Sequence, residues 1–189
     1  FLLLLITSPS FSQTVMFRGS ADHMASTQTN DKRIFGEEAW KFYAAAPIRS
    51  SVAYSNDALF FGTSRGEFFA LDHKSGAVKW KYTTGEAINS SPAYSNGKVF
   101  FADNKQSLYC LQAATGKMIW RTAFEPGLDY EWAFDYFYSS PTLADNKIFI
   151  GSKDGHVYAM NAADGKILWK FKTTGIVRST PAVKDGMVY

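Results

Sequence analysis

Apolar and polar residues alternate along this chain in short runs, and the runs return at a fixed interval. The stretches SSVAY, SSPAY and SSPTL each lead into a turn pair and then a second apolar run, ALFFG, KVFFA or KIFIG. Short apolar runs bounded by turn residues predict β-strands. The turn pairs are Asn56-Asp57, Asn96-Gly97, Asp145-Asn146 and Asp185-Gly186. Asn, Asp and Gly tolerate the positive φ that type I′ hairpin turns need at both central positions. A third strand is predicted over Glu67 to Asp72, Ser107 to Gln112 and His156 to Asn161. Gly76, Gly116 and Gly165 then precede a tryptophan by four residues, which predicts a left-handed turn into a fourth strand.

The tryptophans set the period. Trp40, Trp80 and Trp120 are 40 residues apart, and Trp169 follows after 49. Arg49, Asn89 and Arg178 lie nine residues beyond their tryptophans, each ahead of a Ser-Ser or Ser-Thr pair. In the third unit the equivalent residue, Tyr138, arrives nine residues late, so one insertion near Leu128 to Tyr136 accounts for the longer step. Four short strands per 40-residue unit predict an all-β fold, a β-propeller of four-stranded blades. A ladder of two-layer sandwiches competes, but sandwiches need no strict period. The chain holds a leading outer strand (about Ile34 to Tyr43), three blades and the start of another, about three and a half blades of an expected seven or eight. It starts without Met and stops inside an apolar run, which reads as a fragment.

Composition narrows the class. Aromatic residues make up 16% of the 189, a load that suits strands. The net charge of +3 without a basic run argues against nucleic acid as a partner. The single cysteine, Cys110, excludes an intrachain disulfide and stands where sister repeats have Ala70 and Ala159, so it reads as a small core residue. The block FLLLLI is too short for a transmembrane segment. With TSPSFSQ behind it, it resembles a secretory signal peptide cut after Ser12; a buried N-terminal strand is the alternative. The organisation expected is thus a truncated signal peptide over residues 1–12, a lead-in over 13–33 and a partial propeller over 34–189. Export to a periplasm or beyond, in a Gram-negative cell, suits a chain with one thiol. His23, His73 and His156 do not recur at equivalent positions, so no metal site is expected. No G-x-S-x-G elbow or phosphate cradle is present.

The run from Ala70 through Asp72 and Gly76 to Trp80 fits A-x-D-x-x-x-G-x-x-x-W, with further copies from Cys110 through Gly116 to Trp120 and from Ala159 through Gly165 to Trp169. This motif resembles the tryptophan-docking repeat of the quinoprotein-like, or PQQ-repeat, propellers. Met16-Phe17-Arg18-Gly19 also resembles the opening of exported members. The resemblance implies that Trp40, Trp80, Trp120 and Trp169 stack between blades, with the glycines completing the motif. It also implies a choice of function. One branch oxidises alcohols or sugars with pyrroloquinoline quinone and Ca²⁺. Its adjacent-cysteine disulfide and C-x-x-C-H haem motif have no counterpart here, and no cofactor is expected outside that alternative. The other branch is non-catalytic and includes a propeller lipoprotein of outer-membrane protein assembly, whose lipid-acceptor cysteine this chain lacks.

The expectation is therefore an exported binding scaffold for an envelope protein or a small anionic ligand. Arg49, Asn89, Tyr138 and Arg178 sit where the chain enters each inner strand and should ring the axial funnel. Two arginines there suit an acidic group. In the insertion, Asp129, Glu131 and Trp132 interleave acids with aromatics, a composition found at interaction hot spots. Solvated loop charges, and a loop folded back on the disc, are the plain alternatives.

Overall fold

The computed structural model describes residues 14–17, 20–23, 39–128 and 138–189. It is all-β, and no helix among these residues is long and apolar enough to cross a membrane. The first blade comprises β2 (Ala53–Tyr54), β3 (Ala58–Gly62), β4 (Glu67–Asp72) and β5 (Val78–Thr83), paired antiparallel in that order. The second comprises β6 (Ala93–Ser95), β7 (Lys98–Ala102), β8 (Ser107–Gln112) and β9 (Met118–Ala123), with the short strand β1 (Thr14–Val15) added to the edge of β6. The third comprises β10 (Thr142–Ala144), β11 (Lys147–Gly151), β12 (His156–Asn161) and β13 (Ile167–Lys172). A last pair, β14 (Val183–Lys184) and β15 (Met187–Val188), opens a fourth.

The repeat motif works as one device. Its small residue lies directly across the ladder from the tryptophan: Ala70 opposite Trp80, Cys110 opposite Trp120, Ala159 opposite Trp169, each beside a bulge. Its Asp, Gln or Asn closes the following turn with its side chain; Asp72 Oδ1 accepts from the Lys74 and Ser75 N–H groups. Those bonds, chiefly from Ser75, hold the Asp72 carboxyl below its usual pKa. The glycine takes φ of 71° in all three copies. It also has a second duty. A Cβ on Gly76, Gly116 or Gly165 would come within 2.5–2.7 Å of the ring of Trp40, Trp80 or Trp120. Trp40, Trp80 and Trp120 therefore dock on the next blade's glycine turn, and each indole N–H donates to a backbone carbonyl there, of His73, Ala113 and Ala162 respectively. Trp169, expected to stack likewise, is exposed among the described residues.

The core lies between blades. Phe60 and Phe68 of the first blade pack with Val99, Phe101 and Tyr109 of the second, and the rings of Phe68 and Phe101 stack 3.9 Å apart. Phe100 and Cys110 of the second pack with Leu143, Ile150 and Tyr158 of the third. The Cys110 thiol is fully buried, and burial pushes its pKa up to about 12. Burial likewise raises the phenols of Tyr109 and Tyr158, aided by the carboxylates of Asp103 and Asp154. Unfolding frees these acids to ionise near their ordinary values, so the unfolded state sheds protons first as pH rises. Stability is expected to be full below about pH 9 and to fall progressively toward pH 12, as pH-dependent urea midpoints would record. Cys110 should also resist thiol reagents at pH 8 until denaturant is added.

The paired serines divide the labour near the axis. Ser90 Oγ donates to the Ala102 carbonyl and accepts from the Ala102 N–H, replacing two ladder bonds where β6 has not yet begun. Ser50 does the same for Gly62, and Ser139 accepts from the Gly151 N–H. The second residue of each pair reaches the neighbouring blade: the N–H of Ser51 donates to Ser91 Oγ, that of Ser91 to Ser140 Oγ, and that of Ser140 to Thr180 Oγ1. A hydroxyl relay thus runs around the axis. Ser90→Ala strands two buried backbone groups and is expected to cost about 2–4 kcal/mol in denaturant unfolding.

Two local expectations differ from the structure. Asn56-Asp57 is not a positive-φ turn, unlike Asn96-Gly97, Asp145-Asn146 and Asp185-Gly186. Here Ser55 builds the turn, its Oγ accepting from the Asp57 and Ala58 N–H groups, so the backbone needs no left-handed pair. The described part of the leading strand, residues 39–43, is not laddered. Among the described residues no strand is laddered to this segment, and Trp40 docks through its ring and indole N–H.

Candidate functional site

The residues expected at the funnel do enter the inner strands, but in two settings. Arg49 donates to Ser64 Oγ, which donates in turn to Asn89 Oδ1 at 3.4 Å; Asn89 is buried. Arg178 and Tyr138 share a small recess of about 20 Å³ with Asp103, Gln106 and Lys153. Lys153 Nζ lies 4.4 Å from the centre of the Tyr138 ring. The first setting links the first and second blades, and the recess joins the second, third and fourth. The two arginines therefore belong to separate steps around the axis.

Asp129, Glu131 and Trp132 lie outside the described residues. The two ends of their loop do not. Leu128 N–H donates to the Lys153 carbonyl, and Tyr138 lies under the Lys153 ammonium. Both ends meet on the β11–β12 turn, so the insertion is rooted on the funnel face beside Arg178.

The structure adds two features that sequence reasoning did not find. On the opposite face, the turns of the second and third blades border a groove of about 640 Å³ lined by Asn96, Lys98, Asp145, Asn146 and Asn161. Its signal was the turn residues themselves, which had been read only for backbone conformation. The second feature is a cluster of Glu125, Asp154 and His156, whose ligand-type atoms all lie within 4.8 Å of one another. Asp154 and His156 are buried; Glu125 is exposed and pairs with Lys170. No spacing pattern in the sequence points to this cluster. Asp154 is two residues from His156 across a tight turn, and Glu125 comes from the preceding blade.

Four-stranded antiparallel blades, inter-blade tryptophans docked on left-handed glycines, and a hydroxyl relay at the axis define a propeller of the PQQ-repeat, quinoprotein-like class. The family model described as outer membrane protein assembly factor BamB matches residues 31–128 and 104–189. The chain belongs to that family. Among solved structures it is similar to BamB from Moraxella catarrhalis, with 24% identity and a TM-score of 0.66 over 78% of this chain and 44% of that one. It is similar to a europium-containing methanol dehydrogenase, with 21% identity and a TM-score of 0.66 over 87% of this chain and 32% of the enzyme. The computationally designed Ika4 protein matches at 15% identity and a TM-score of 0.66 over 81% of this chain and 90% of that one. The chain thus spans less than half the length of the first two. A sequence comparison with curated proteins gives no match.

Proposed function

We propose that this protein is an exported propeller scaffold of the cell envelope that binds a protein partner during outer-membrane protein assembly. The observation that carries the reading is the family match to an outer-membrane assembly factor across both halves of the repeat array. The funnel face is its working surface. Arg49, Arg178 and Lys153 supply cations there, and the acidic and aromatic insertion is rooted beside Lys153 and Arg178. Elaborated loops on a rigid scaffold are where binding concentrates. A small anionic ligand in the same funnel would use Arg178 and Lys153 of the recess.

The similarity to a methanol dehydrogenase favours a second reading, a quinone-dependent alcohol or sugar dehydrogenase. The donor set fits it poorly among the described residues. The funnel offers cations and amides, and among the residues lining its recess Asp103 is the single carboxylate. Calcium needs six to eight oxygens around one point. The ligand cluster that does exist brings an imidazole instead.

A tagged, complete protein should recover an envelope partner by pull-down, and the double variant Trp132→Ala, Arg178→Ala should lose it. Recovery indifferent to those changes overturns the reading. So does alcohol oxidation that depends on added pyrroloquinoline quinone and Ca²⁺ with an artificial electron acceptor.

A further inference from the structure

The geometry points to a divalent transition-metal site, suited to Zn²⁺, built by Glu125, Asp154 and His156 where the second blade hands over to the third. The repeat itself supplies the contrast. Arg65, Lys105 and Asp154 are equivalent positions in the three blades, as are Glu67, Ser107 and His156, the first residues of β4, β8 and β12. In the first blade Glu67 forms an ion pair with Lys81, and in the second Arg121 donates to Ser107. In the third blade the turn cation is replaced by a buried carboxylate with an imidazole beside it; the second blade also buries a turn carboxylate, Asp103, but sets Ser107 beside it.

Asp154 Oδ1 and His156 Nδ1 are 3.2 Å apart. A tetrahedral zinc with bonds of about 2.0–2.1 Å has ligand atoms separated by roughly 3.3 Å, so this pair already spans one edge. The carboxylate is oriented from behind: the Tyr158 hydroxyl donates to Oδ2 and the His156 backbone N–H to Oδ1. Such outer partners fix a ligand's direction in metal sites. Glu125, exposed on a loop, supplies the third ligand and leaves the site open to ions from solvent; it exchanges its contact with Lys170 for the metal. One imidazole and two carboxylates match zinc's preference and leave its fourth position for water. The ion would tie the chain leaving β9 to the β11–β12 turn, the same turn on which the insertion is rooted. Asp154 adjoins Lys153 of the funnel recess, but metal binding is read without the partner and partner capture without the metal, so either assignment can fail alone.

The test is to titrate metal-free, untagged complete protein with Zn²⁺ by calorimetry, and with Co²⁺ while recording the visible spectrum. One Zn²⁺ per chain and an intense tetrahedral Co²⁺ band are expected. His156→Ser, which installs the second blade's residue, should weaken binding by more than the roughly 10–100-fold typical of outer-shell losses. Glu125→Gln, at an exposed position that leaves folding intact, should weaken it by about 10-fold. No stoichiometric binding, or binding equally tight in both variants, overturns the site.

Discussion

Replacing Trp80 by Ala is expected to remove about 3–5 kcal/mol from the unfolding free energy, the usual loss when a large aromatic leaves a packed site. Trp80 packs against Phe60 and Phe68 of its own blade, with ring centres 5.9 and 6.0 Å away. Its indole N–H donates to the Ala113 carbonyl of the next blade at 2.8 Å. Alanine therefore opens a cavity and leaves a carbonyl without its donor in one step. Trp80→Phe separates the two effects. It keeps most of the packing and loses the donor, so about 1–2 kcal/mol is expected. Urea unfolding of the two variants decides the matter, and equal losses would show that packing contributes little.

Gly116→Ala should be nearly as damaging, at about 2–5 kcal/mol, for two reasons that add. At φ of 71° an alanine carries a left-handed penalty of about 1–2 kcal/mol. Its Cβ would also lie 2.7 Å from the Trp80 ring, and forcing such a contact costs about 1–3 kcal/mol. Gly97 provides the control. It has φ of 73°, yet an added Cβ there meets nothing within 4 Å. Gly97→Ala should show the backbone penalty alone. If both variants lose the same amount, the glycine turn is not a docking seat.

Much of the fold was legible because the repeat lets each copy interpret the others. The third strands run from Glu67, Ser107 and His156 to Asp72, Gln112 and Asn161, as the aligned pattern predicts. The glycine turns were legible for the same reason. Their role as seats for the preceding tryptophan was not visible, because it joins residues 36 or more apart through a ring face rather than a pattern. The Ser-Ser pairs illustrate a different limit. They read as the first residues of the inner strands, yet those strands begin at Ala53, Ala93 and Thr142, because the hydroxyls replace ladder bonds. Asn56-Asp57 was misread because a side-chain acceptor, Ser55, stands in for backbone conformation.

The candidate sites were less legible. The chain entries at Arg49, Asn89, Tyr138 and Arg178 could be placed from connectivity. Their division into two settings depends on Ser64 and Lys153, which carry no special sequence signal. Glu125 lies 29 residues before Asp154 and on the far side of the insertion, so no spacing rule joins them.

The docking of Trp40, Trp80 and Trp120 on the following blades also sets a timetable. The indole bonds span 33, 33 and 42 residues of sequence, always from an earlier residue to a later one. A chain that emerges N-terminus first, from a ribosome or a translocation pore, cannot close a blade until the next blade's glycine turn has followed it out. At about 5–20 residues per second, each closure waits about 2–8 s for the segment that completes it. During that wait the blade's outer aromatic surface is bare, and the same surface is then covered in strict order along the chain. Assembly is vectorial, one blade behind emergence, and the interval after each tryptophan is when a chaperone has most to hold.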